Sequence, residues 1–457
     1  MDARVSEGPS LAGWSPPPAK PVFRLGRIHD PQNPLPQIIQ AAYEKPVVRQ
    51  SSALGAFYVV GDPDGVKRVF LDNVANYPKT DMERRLFGAI FGNGLLSSDG
   101  ETWRSHRRIM APPFAPPSVA AYAPGMAQDV ADFQARWDQA PADQPIDVAR
   151  DMTRLTLQMI SRAVFATDGV ALGEVMERSI AGATAATQVG LADFLPVLGP
   201  LRMTAREKRI AEVFAEFDAV VADLIAEREP SPGGGDLLSR LIAARDAETG
   251  CGMTAQEVRD QVVTIFVAGH ETTAAAMAWV WYLLSQHPQA EARLHAELDA
   301  VLGGRSPAAG DLPNLGYTRM VVEEAMRLYP PAPGTSTRIA LQADEICGVK
   351  IPKGALICVA PWVTHRHRLH WDRPETFEPE RFSKENAAGR ARFAYIPFGA
   401  GPRVCIGASL AMTEMMIVLA TLAQRYRLAL APGHEVELFH QVTMRPKGGL
   451  PMIVSRR

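Results

Sequence analysis

The sequence contains few cysteines, almost no net charge and no long apolar run, and each of these absences argues against a class of protein. Four cysteines occur in 457 residues, Cys251, Cys347, Cys358 and Cys405. Their irregular spacing suits a reducing compartment better than a disulfide framework. A formal net charge of −2 gives no reason to expect nucleic acid or an anionic membrane surface as a partner. Any function must therefore come from local sites.

Two features argue against a membrane protein. The longest uninterrupted apolar run, Ala274 to Leu284, is too short to span a bilayer. Residues 1–18 lack the apolar core of a signal peptide or a membrane anchor. We therefore expect a soluble, cytoplasmic protein with no membrane span. Residues 1–21, which contain serine, glycine and consecutive prolines, are predicted to form a flexible N-terminal arm.

Near the C-terminus, a glycine-rich stretch presents one cysteine immediately before a predicted helix. We call this stretch, Phe398 to Gly407, the cysteine loop; its glycines allow a tight turn and the close approach of a flat ligand. The helix start and the nearby Arg403 would both favour the thiolate form of Cys405. A small buried residue or an unligated thiol is the simpler interpretation. However, no Cys-x-x-Cys or nearby histidine pair supplies the ligands of zinc or an iron–sulfur cluster, whereas a single thiolate fits haem.

A second anchor is a long helix predicted from Thr254 to Gln286, which begins with a capping box formed by Thr254 and Glu257. Its centre, Ala268 to Thr273, places a glycine, a histidine, an acid and two hydroxyl groups among apolar turns. Gly269 costs about 1 kcal/mol relative to alanine, and a threonine can divert a helical carbonyl group. A kink or a solvated face is the structural interpretation, and a locally opened helix with a function is the other.

Two further predicted helices carry residues at spacings that share a face. Trp103 and Arg107 lie four residues apart, although a solvated basic helix with an anchoring tryptophan would also explain them. Glu324 and Arg327 lie three residues apart and can pair, as such residues do on many surface helices. The proline-rich stretch 329–338 that follows cannot be helical, and short strands are predicted after it.

Three connecting stretches are predicted to lack regular structure. Residues 82–98 contain too many glycines for one clean helix, and apolar loops of this kind commonly line pockets. Residues 194–201 are apolar and interrupted by prolines, which suits either a mobile lid or the core packing of a helix connection. Residues 229–235 are interpreted as a surface loop.

Taken in order, these motifs resemble those of the cytochromes P450. The cysteine loop matches Phe-Gly-x-Gly-x-Arg-x-Cys-x-Gly, and the centre of the long helix matches Ala/Gly-Gly-x-Asp/Glu-Thr-Thr/Ser without departure. Trp-x-x-x-Arg, Glu-x-x-Arg and Pro-Glu-Arg-Phe occur in the order of the family, so the resemblance covers the chain from about Trp103 to Lys447. It implies a mainly α fold with a smaller β-rich portion (α+β), built as a single domain over residues 22–457.

The resemblance implies a role for individual residues. Cys405 is expected to be the axial thiolate ligand of the iron in haem b, and Glu271 and Thr272 are expected to deliver protons to dioxygen. A buried structural lock is expected from Glu324, Arg327 and Arg381. Further contacts to the cofactor are expected from Trp103, Arg107, Ala268, Gly269, Arg338, Phe398, Arg403 and Gly407. The substrate pocket is expected to be lined by Leu96, Phe266, Ala268, Ala332, Thr335 and Val442.

The activity implied by the resemblance is that of a haem-thiolate monooxygenase, which inserts one oxygen atom of O2 into a hydrophobic small molecule. Electrons are expected to come from NAD(P)H through a separate ferredoxin or flavodoxin with its reductase, because the sequence carries no flavin or ferredoxin signature. A monomer is expected. Positive charge for docking the redox partner is offered by Arg104, Arg108, Arg390, Arg392 and Arg403. Scattered solvated arginines are the alternative interpretation.

Two alternative functions stay open at the level of the sequence. A haem-thiolate peroxygenase would use hydrogen peroxide in place of O2 and electrons, but it would not need the intact pair of Glu271 and Thr272. A haem-based sensor or carrier would bind the cofactor without turnover. The substrate is open as well. The motifs look more like those of bacterial fatty-acid-type P450s than of camphor-type ones, but a terpene, a steroid or an alkaloid fits a hydrophobic pocket equally.

Overall fold

The computed structural model describes most of the chain. The described residues are 11–12, 38–52, 55–141, 144–166, 175, 178–179, 182, 198–228, 236–440 and 442–457. The predicted N-terminal arm, residues 1–21, lies outside the described residues except for Leu11 and Ala12. The possible lid at 194–201 is described only from residue 198 onward, and the predicted surface loop at 229–235 lies outside the described residues.

The fold contains two compact units. The first unit comprises Met1–Lys79, Val130–Thr153 and Thr272–Arg457, and the second unit comprises Thr80–Asp129 and Arg154–Glu271. The single domain predicted over residues 22–457 stays a prediction.

Helices dominate the chain, as predicted. In chain order they are α1 (Pro63–Lys67), α2 (Asp81–Phe91), α3 (Gly100–Met110), α4 (Pro116–Asp138), α5 (Val148–Phe165), α6 (Leu198–Ala226), α7 (Leu237–Ala243), α8 (Ala255–Gln286), α9 (Pro288–Leu302), α10 (Gly316–Leu328), α11 (Pro361–Thr364), α12 (Lys384–Ala387) and α13 (Ala408–Leu422). Within the described residues, no helix combines the length and the apolar character that crossing a bilayer requires.

The strands form small sheets. They are β1 (Val47–Ser52), β2 (Gly55–Val60), β3 (Ile146–Asp147), β4 (Arg338–Ile339), β5 (Asp344–Ile346), β6 (Val349–Ile351), β7 (Leu356–Val359), β8 (Tyr426–Leu430), β9 (Leu438–His440), β10 (Met444–Pro446) and β11 (Pro451–Arg456). The largest sheet has the order β1-β2-β7-β4, with β2 and β7 parallel and the other pairs antiparallel. A three-stranded sheet has the order β3-β11-β8, and β5-β6 and β9-β10 are two-stranded.

Two helices begin at residues whose side chains cap them. The side chain of Asp62 accepts a hydrogen bond from the amide of Asp64 over 2.9 Å, and Pro63 occupies the first position of α1. At α8 the amide of Thr254 donates to the Oε2 of Glu257 over 2.8 Å, and the amide of Glu257 donates to the Oγ1 of Thr254 over 3.2 Å. This reciprocal pair is the predicted capping box, so both helices begin where local side-chain chemistry sets their start.

The prediction of irregular structure for the whole of residues 82–98 is wrong for its first half, because Asp81 to Phe91 form α2. Thr80 caps this helix by accepting a hydrogen bond from the amide of Glu83 over 3.3 Å, and the first turn carries two acids. A Cβ built on Gly88 would meet nothing within 4 Å, so this glycine occupies an open face. Its cost of about 1 kcal/mol is offset by the cap and the favourable charges.

The expectation of a locally opened turn in α8 is also not met, because the helix is continuous from Ala255 to Gln286. Gly269 has a packing role instead. A Cβ at this position would lie 3.1 Å from the Cδ1 of Ile160 on α5, which is tighter than most real contacts. The glycine therefore allows the two helices to approach closely.

Aromatic side chains fill the core of the first unit. Trp137 lies 5.8 Å from Trp281 and 5.4 Å from Tyr426 between ring centroids, both in edge-to-face geometry. Trp279 stacks on Tyr329 at 4.1 Å. Rings in such arrangements add about 0.5–1.5 kcal/mol per pair beyond the burial of their area. These contacts anchor the C-terminal half of the helix α8.

His295 on α9 is a buried histidine that resists protonation. Its side chain is 3% exposed, and burial, together with Arg457 and Arg427, lowers its pKa from 6.5 to about 4. In the unfolded chain the imidazole titrates near its usual value, so between pH 6.5 and pH 4 the unfolded state binds more protons than the folded state. The free energy of unfolding must therefore fall as the pH drops through this window.

Replacing His295 should reduce the dependence of the free energy of unfolding on pH. On acidification, the free energy of unfolding of His295→Gln is expected to fall less than that of the native chain. The difference should reach up to roughly 3 kcal/mol, because each pKa unit is worth about 1.36 kcal/mol. Urea unfolding followed by circular dichroism at several pH values measures the difference. His434→Gln, at a partly exposed site, is the control, and parallel pH profiles for the two variants would contradict the assignment.

Candidate functional site

The cysteine loop holds its cysteine through the backbone. Gly399 and Gly401 adopt positive φ angles of 74° and 69°, a conformation that glycine reaches without strain. The amide of Cys405 donates to the carbonyl oxygen of Phe398 over 2.8 Å. The side chain of Cys405 is exposed. The loop therefore presents its sulfur to an incoming ligand.

The cysteine lies close to the start of a helix, as predicted. α13 begins at Ala408, with Gly407 in the capping position. A Cβ built on Gly407 would lie 3.9 Å from the sulfur of Cys405, an ordinary van der Waals distance. With glycine at this position, the space beside the sulfur is left uncrowded.

The donor set fits haem. Within the described ranges, no group of three or more His, Cys, Asp or Glu side chains is arranged to hold a metal ion. Zinc and iron–sulfur clusters need several such ligands, whereas haem iron needs one axial ligand from the protein. An exposed sulfur on a loop whose glycines allow a flat molecule to approach is therefore compatible with thiolate-ligated haem.

The centre of α8 is the accessible part of a mostly buried helix. Ala268 is exposed, and Gly269, Glu271 and Thr272 are partly exposed, whereas the turns on either side are buried. A methyl group can be exposed there only if open space adjoins the helix. Glu271 and Thr272 thus lie on a turn that is partly exposed.

Behind this turn, the backbone of α8 is supported by α5. The hydroxyl group of Thr156 donates to the carbonyl oxygen of His270 over 3.0 Å. The side chain of His270 is buried, and its Nδ1 lies 2.7 Å from the carbonyl oxygen of Phe266. The sequence reasoning missed Thr156, because nothing in the local pattern of α5 marks this residue.

On the buried side of the motif, Thr273 contacts an acid that the sequence reasoning also missed. Its hydroxyl group donates to the Oε2 of Glu414 on α13 over 3.4 Å, and both side chains are 2% exposed. An acid within the almost wholly apolar stretch 406–425 was the available signal, because a glutamate is rarely buried unless it has a partner. Neighbouring threonines of one motif therefore have different environments.

The predicted cluster of three charges is present in the first unit. Arg327 donates from Nε and Nη2 to the two carboxylate oxygens of Glu324 over 2.6 and 2.7 Å, and both side chains are completely buried. The Nε of Arg381 lies 3.4 Å from Glu324, and burial, followed by the charge of Arg327, lowers the pKa of Arg381. The remaining donors of Arg327 bind the carbonyl oxygens of His365, Pro374 and Thr376. Glu324 and Arg327 are thus mutually satisfied, whereas the buried Nε of Arg381 has an ion-pair contact with Glu324 but no hydrogen bond.

One predicted pocket residue is a core residue in the structure. Phe266 is completely buried, with its ring centroid 5.8 Å from that of Phe165 and 6.1 Å from that of Phe217. The helical spacing could not distinguish the face of α8 that packs on neighbouring helices from the face that is accessible. We therefore remove Phe266 from the candidate pocket wall.

Four other predicted pocket residues carry alkyl groups. The hydroxyl group of Thr335 donates to the carbonyl oxygen of Val359 over 2.8 Å, which leaves its methyl group for other contacts. Val442 is 64% exposed. Ala332 and Leu96 are partly exposed, in the first and second units respectively.

The residues predicted to bind the haem carboxylates are found in both units. Trp103 and Arg107 lie on α3 of the second unit, and Arg338 and Arg403 belong to the first unit. Arg338 is buried on β4, where its guanidinium lies 5.3 Å from the ring centre of Phe70. The roles of these residues toward haem stay predictions.

Two of the arginines considered for docking a redox partner contact buried side chains. Arg108 donates from Nε and Nη2 to the buried carboxylate of Asp246 over 2.9 and 2.8 Å. Arg390 lies 4.5 Å from the ring centre of Trp371. Reversing the charge of Arg108 would leave a buried carboxylate without its ion pair, so its effect could not be assigned to docking.

Similarity to known proteins decides the family. The sequence matches the family model described as Cytochrome P450 over residues 16–451. The chain belongs to the cytochrome P450 family. Cyclooctatin synthase of Streptomyces melanosporofaciens is 37% identical to this P450 over 409 residues, which cover 88% of this chain and 86% of the relative. Pentalenene oxygenase of Streptomyces avermitilis is 33% identical, with 76% of each chain covered.

The fold of this P450 also occurs among solved structures. The haem domain of cytochrome P450DA, known from a crystal structure, matches with a TM-score of 0.80 and 27% identity over 90% of both chains. The predicted α+β fold is thereby confirmed. Membership in the family also confirms a haem b monooxygenase that uses O2, a substrate and electrons from NAD(P)H through a redox partner.

Gly399 and Gly401 are required for different reasons. Gly399 is required for its positive φ angle alone, whereas Gly401 is also required because a side chain would have no room there. A Cβ at position 401 would lie 1.9 Å from the carbonyl oxygen of Phe70, whereas a Cβ at position 399 would meet nothing within 4 Å. Gly399→Ala is expected to cost about 1–2 kcal/mol from the left-handed backbone alone. Gly401→Ala should cost more, because a backbone must also move. Thermal unfolding and the haem content of the purified holoprotein measure both effects.

The matched control is Gly310→Ala, because this glycine of the first unit does not adopt a positive φ angle and an added Cβ would meet nothing within 4 Å. It should retain haem at the native level. Equal losses in Gly399→Ala and Gly401→Ala would show that the contact with Phe70 is not restrictive.

Proposed function

We propose that this P450 oxygenates an alicyclic substrate of terpene type, either a hydrocarbon or an alcohol. The observation that carries the proposal is the exposed methyl group of Ala268 in a helix that is otherwise mostly buried. A small side chain at this turn leaves room for a bulky, apolar molecule. The names of two relatives, cyclooctatin synthase and pentalenene oxygenase, support this class of substrate.

The side chains proposed for the pocket wall are suited to such a molecule. Leu96, Ala268, Ala332 and Val442 offer only alkyl surface, and the hydroxyl group of Thr335 is engaged by the backbone of β7. Side chains of this chemistry discriminate substrates by shape and apolar contact. A fatty acid would gain little from its carboxylate here, because that group is costly to bury without a partner.

Cys405 is proposed as the axial ligand of haem b. When bound, the thiolate-ligated cofactor supplies the reductive activation of dioxygen. The chain presents the sulfur on a loop with a defined backbone, and the cation of Arg403 nearby in the sequence favours the anionic form. The side chains proposed to bind the carboxylates of the cofactor are Trp103, Arg107, Arg338 and Arg403. Those proposed to lie against its ring are Ala268, Gly269, Phe398 and Gly407.

Glu271 and Thr272 are proposed to move protons. Both lie on the partly exposed turn of α8. We therefore expect water to reach the carboxylate of Glu271 and the Oγ1 of Thr272. Thr273, by contrast, is buried against Glu414 and is assigned to packing. The accessible hydroxyl group is therefore the one to which we assign proton transfer.

The redox partner is proposed to be a ferredoxin or a flavodoxin with its reductase, and this P450 is proposed to act as a monomer in the cytoplasm. None of the four cysteines, all of which lie in the described part of the chain, forms a disulfide, which suits a reducing compartment. Arg104, Arg392 and Arg403 remain candidates for docking an acidic partner.

Removal of the Thr272 hydroxyl group tests the proton assignment. In Thr272→Ala, the yield of oxygenated product per NAD(P)H consumed should fall roughly tenfold or more, with hydrogen peroxide released instead, because a positioned proton donor contributes about 10²–10⁴-fold. Thr264→Ala is the matched control on the same helix, since that hydroxyl group donates to the carbonyl oxygen of Asp260 over 2.7 Å. Unchanged coupling in Thr272→Ala would remove the assignment.

A binding screen tests the substrate class. The holoprotein is expected to bind cyclic terpene hydrocarbons and alcohols more tightly than fatty acids of similar carbon number, as measured by the change in the haem absorbance spectrum. Ala268→Phe should weaken terpene binding about tenfold or more, since overpacking costs about 1–3 kcal/mol. Tighter binding of fatty acids, with no effect of Ala268→Phe, would overturn the substrate class and leave the family unaffected.

A further inference from the structure

The backbone of Phe70 lies directly against the cysteine loop. A Cβ built on Gly401 would lie 1.9 Å from the carbonyl oxygen of Phe70 and 2.9 Å from its carbonyl carbon. Both residues belong to the first unit. Because the two backbones are in such close contact, the position of the loop at Gly401 depends on where residue 70 is held.

Phe70 lies in the middle of a short π-helical turn, Arg68–Asp72, which continues α1. Turns of this kind are rare and are often found at functional sites. The amide of Asn73 closes the turn by donating to the carbonyl oxygen of Arg68 over 2.9 Å. An irregular turn of this length depends on side-chain contacts to keep its position.

Asp344, at the start of β5, supplies such contacts. Its carboxylate accepts hydrogen bonds from Nη2 and Nε of Arg68 over 2.7 and 3.1 Å, from Asn73 over 2.9 Å and from the hydroxyl group of Tyr77 over 2.7 Å. The side chain of Asp344 is 8% exposed, and Arg68 holds the pKa of this carboxyl group well below its usual range. One carboxylate therefore binds donors on both sides of Phe70 in the sequence.

The segment that leads to Asp344 is joined to the same part of the chain by its backbone. The amide of Ile339 donates to the carbonyl oxygen of Pro78 over 3.1 Å, and the amide of Leu341 donates to that of Asn76 over 3.0 Å. These bonds hold the segment that precedes β5 beside the segment that follows the π-helical turn. The carboxylate of Asp344 therefore acts from a stable support.

We propose that Asp344 is a positioning residue for the cysteine loop, acting through Arg68, Asn73 and Tyr77 on the backbone of Phe70 and hence on Gly401. Its role is to keep the loop in the conformation that presents the sulfur. The spectroscopic part of the test rests on the proposed role of Cys405 as the iron ligand, whereas the exchange part does not.

Hydrogen exchange of the holoprotein tests the position of the loop. In Asp344→Ala, the amides of residues 398–407 should exchange about tenfold faster, which corresponds to local opening that is easier by about 1.4 kcal/mol. The amides of α10 should exchange at the native rate. Asp311→Ala is the matched control, because Asp311 also binds an arginine, Arg305, through two contacts of 2.6 Å. Its partners lie outside the π-helical turn and the loop.

The carbon monoxide complex of the reduced holoprotein tests whether the change reaches the sulfur. Asp344→Ala should raise the share of haem without thiolate ligation several-fold above that in the native chain and in Asp311→Ala. Asp344→Asn keeps the shape of the side chain but loses its charge, and should give a smaller shift in the same direction. Tyr77→Phe removes one hydrogen bond of 2.7 Å and provides a second variant should Asp344→Ala not fold.

Two results would overturn the proposal. The first is that Asp344→Asn and Tyr77→Phe both show the same hydrogen exchange in the cysteine loop, and the same spectrum of the carbon monoxide complex, as Asp311→Ala. The other is a uniform rise in exchange across the first unit, since Asp344 would then stabilise the unit without a specific action on the loop. A native chain that lacks the thiolate form of the carbonyl complex would instead refute the role of Cys405.

Discussion

The close contact between the backbones of Phe70 and Gly401 is the constraint on which the cysteine loop depends. It excludes any side chain at position 401, and the positive φ there favours glycine independently. Cys405 follows within the same loop and is held by the bond from its amide to Phe398. The placement of the sulfur thus depends on the conformation of the backbone of the loop.

Buried charges join the distant segments of the first unit. Glu324 and Arg327 lie on one helix turn, but Arg327 also binds three carbonyl oxygens from the stretch 365–376. The carboxylate of Asp344 accepts hydrogen bonds from Arg68, Asn73 and Tyr77, which lie in the segment around Phe70. In both networks a buried charged side chain binds several groups at once, so removing it would break several hydrogen bonds together.

The long helix α8 combines packing and chemistry within one motif. Gly269 permits the approach of Ile160, and Thr273 is buried against Glu414. Between and beside them, Ala268 and Thr272 face accessible space. The polar groups of the motif are therefore not equivalent, and the accessible ones are those that a ligand, water or a proton can reach. A continuous helix suffices for this arrangement.

The sequence by itself determined the family, the thiolate-haem chemistry and the elements that carry the motifs, because caps, glycines and residue spacing act over a few positions. It could not assign Phe266 to the core or pair Arg108 with Asp246, since these depend on which faces pack together. Only the tertiary structure brought Arg68 to Asp344, 276 residues away in the chain. Contacts over such separations leave no local pattern, because they arise from the packing of whole segments.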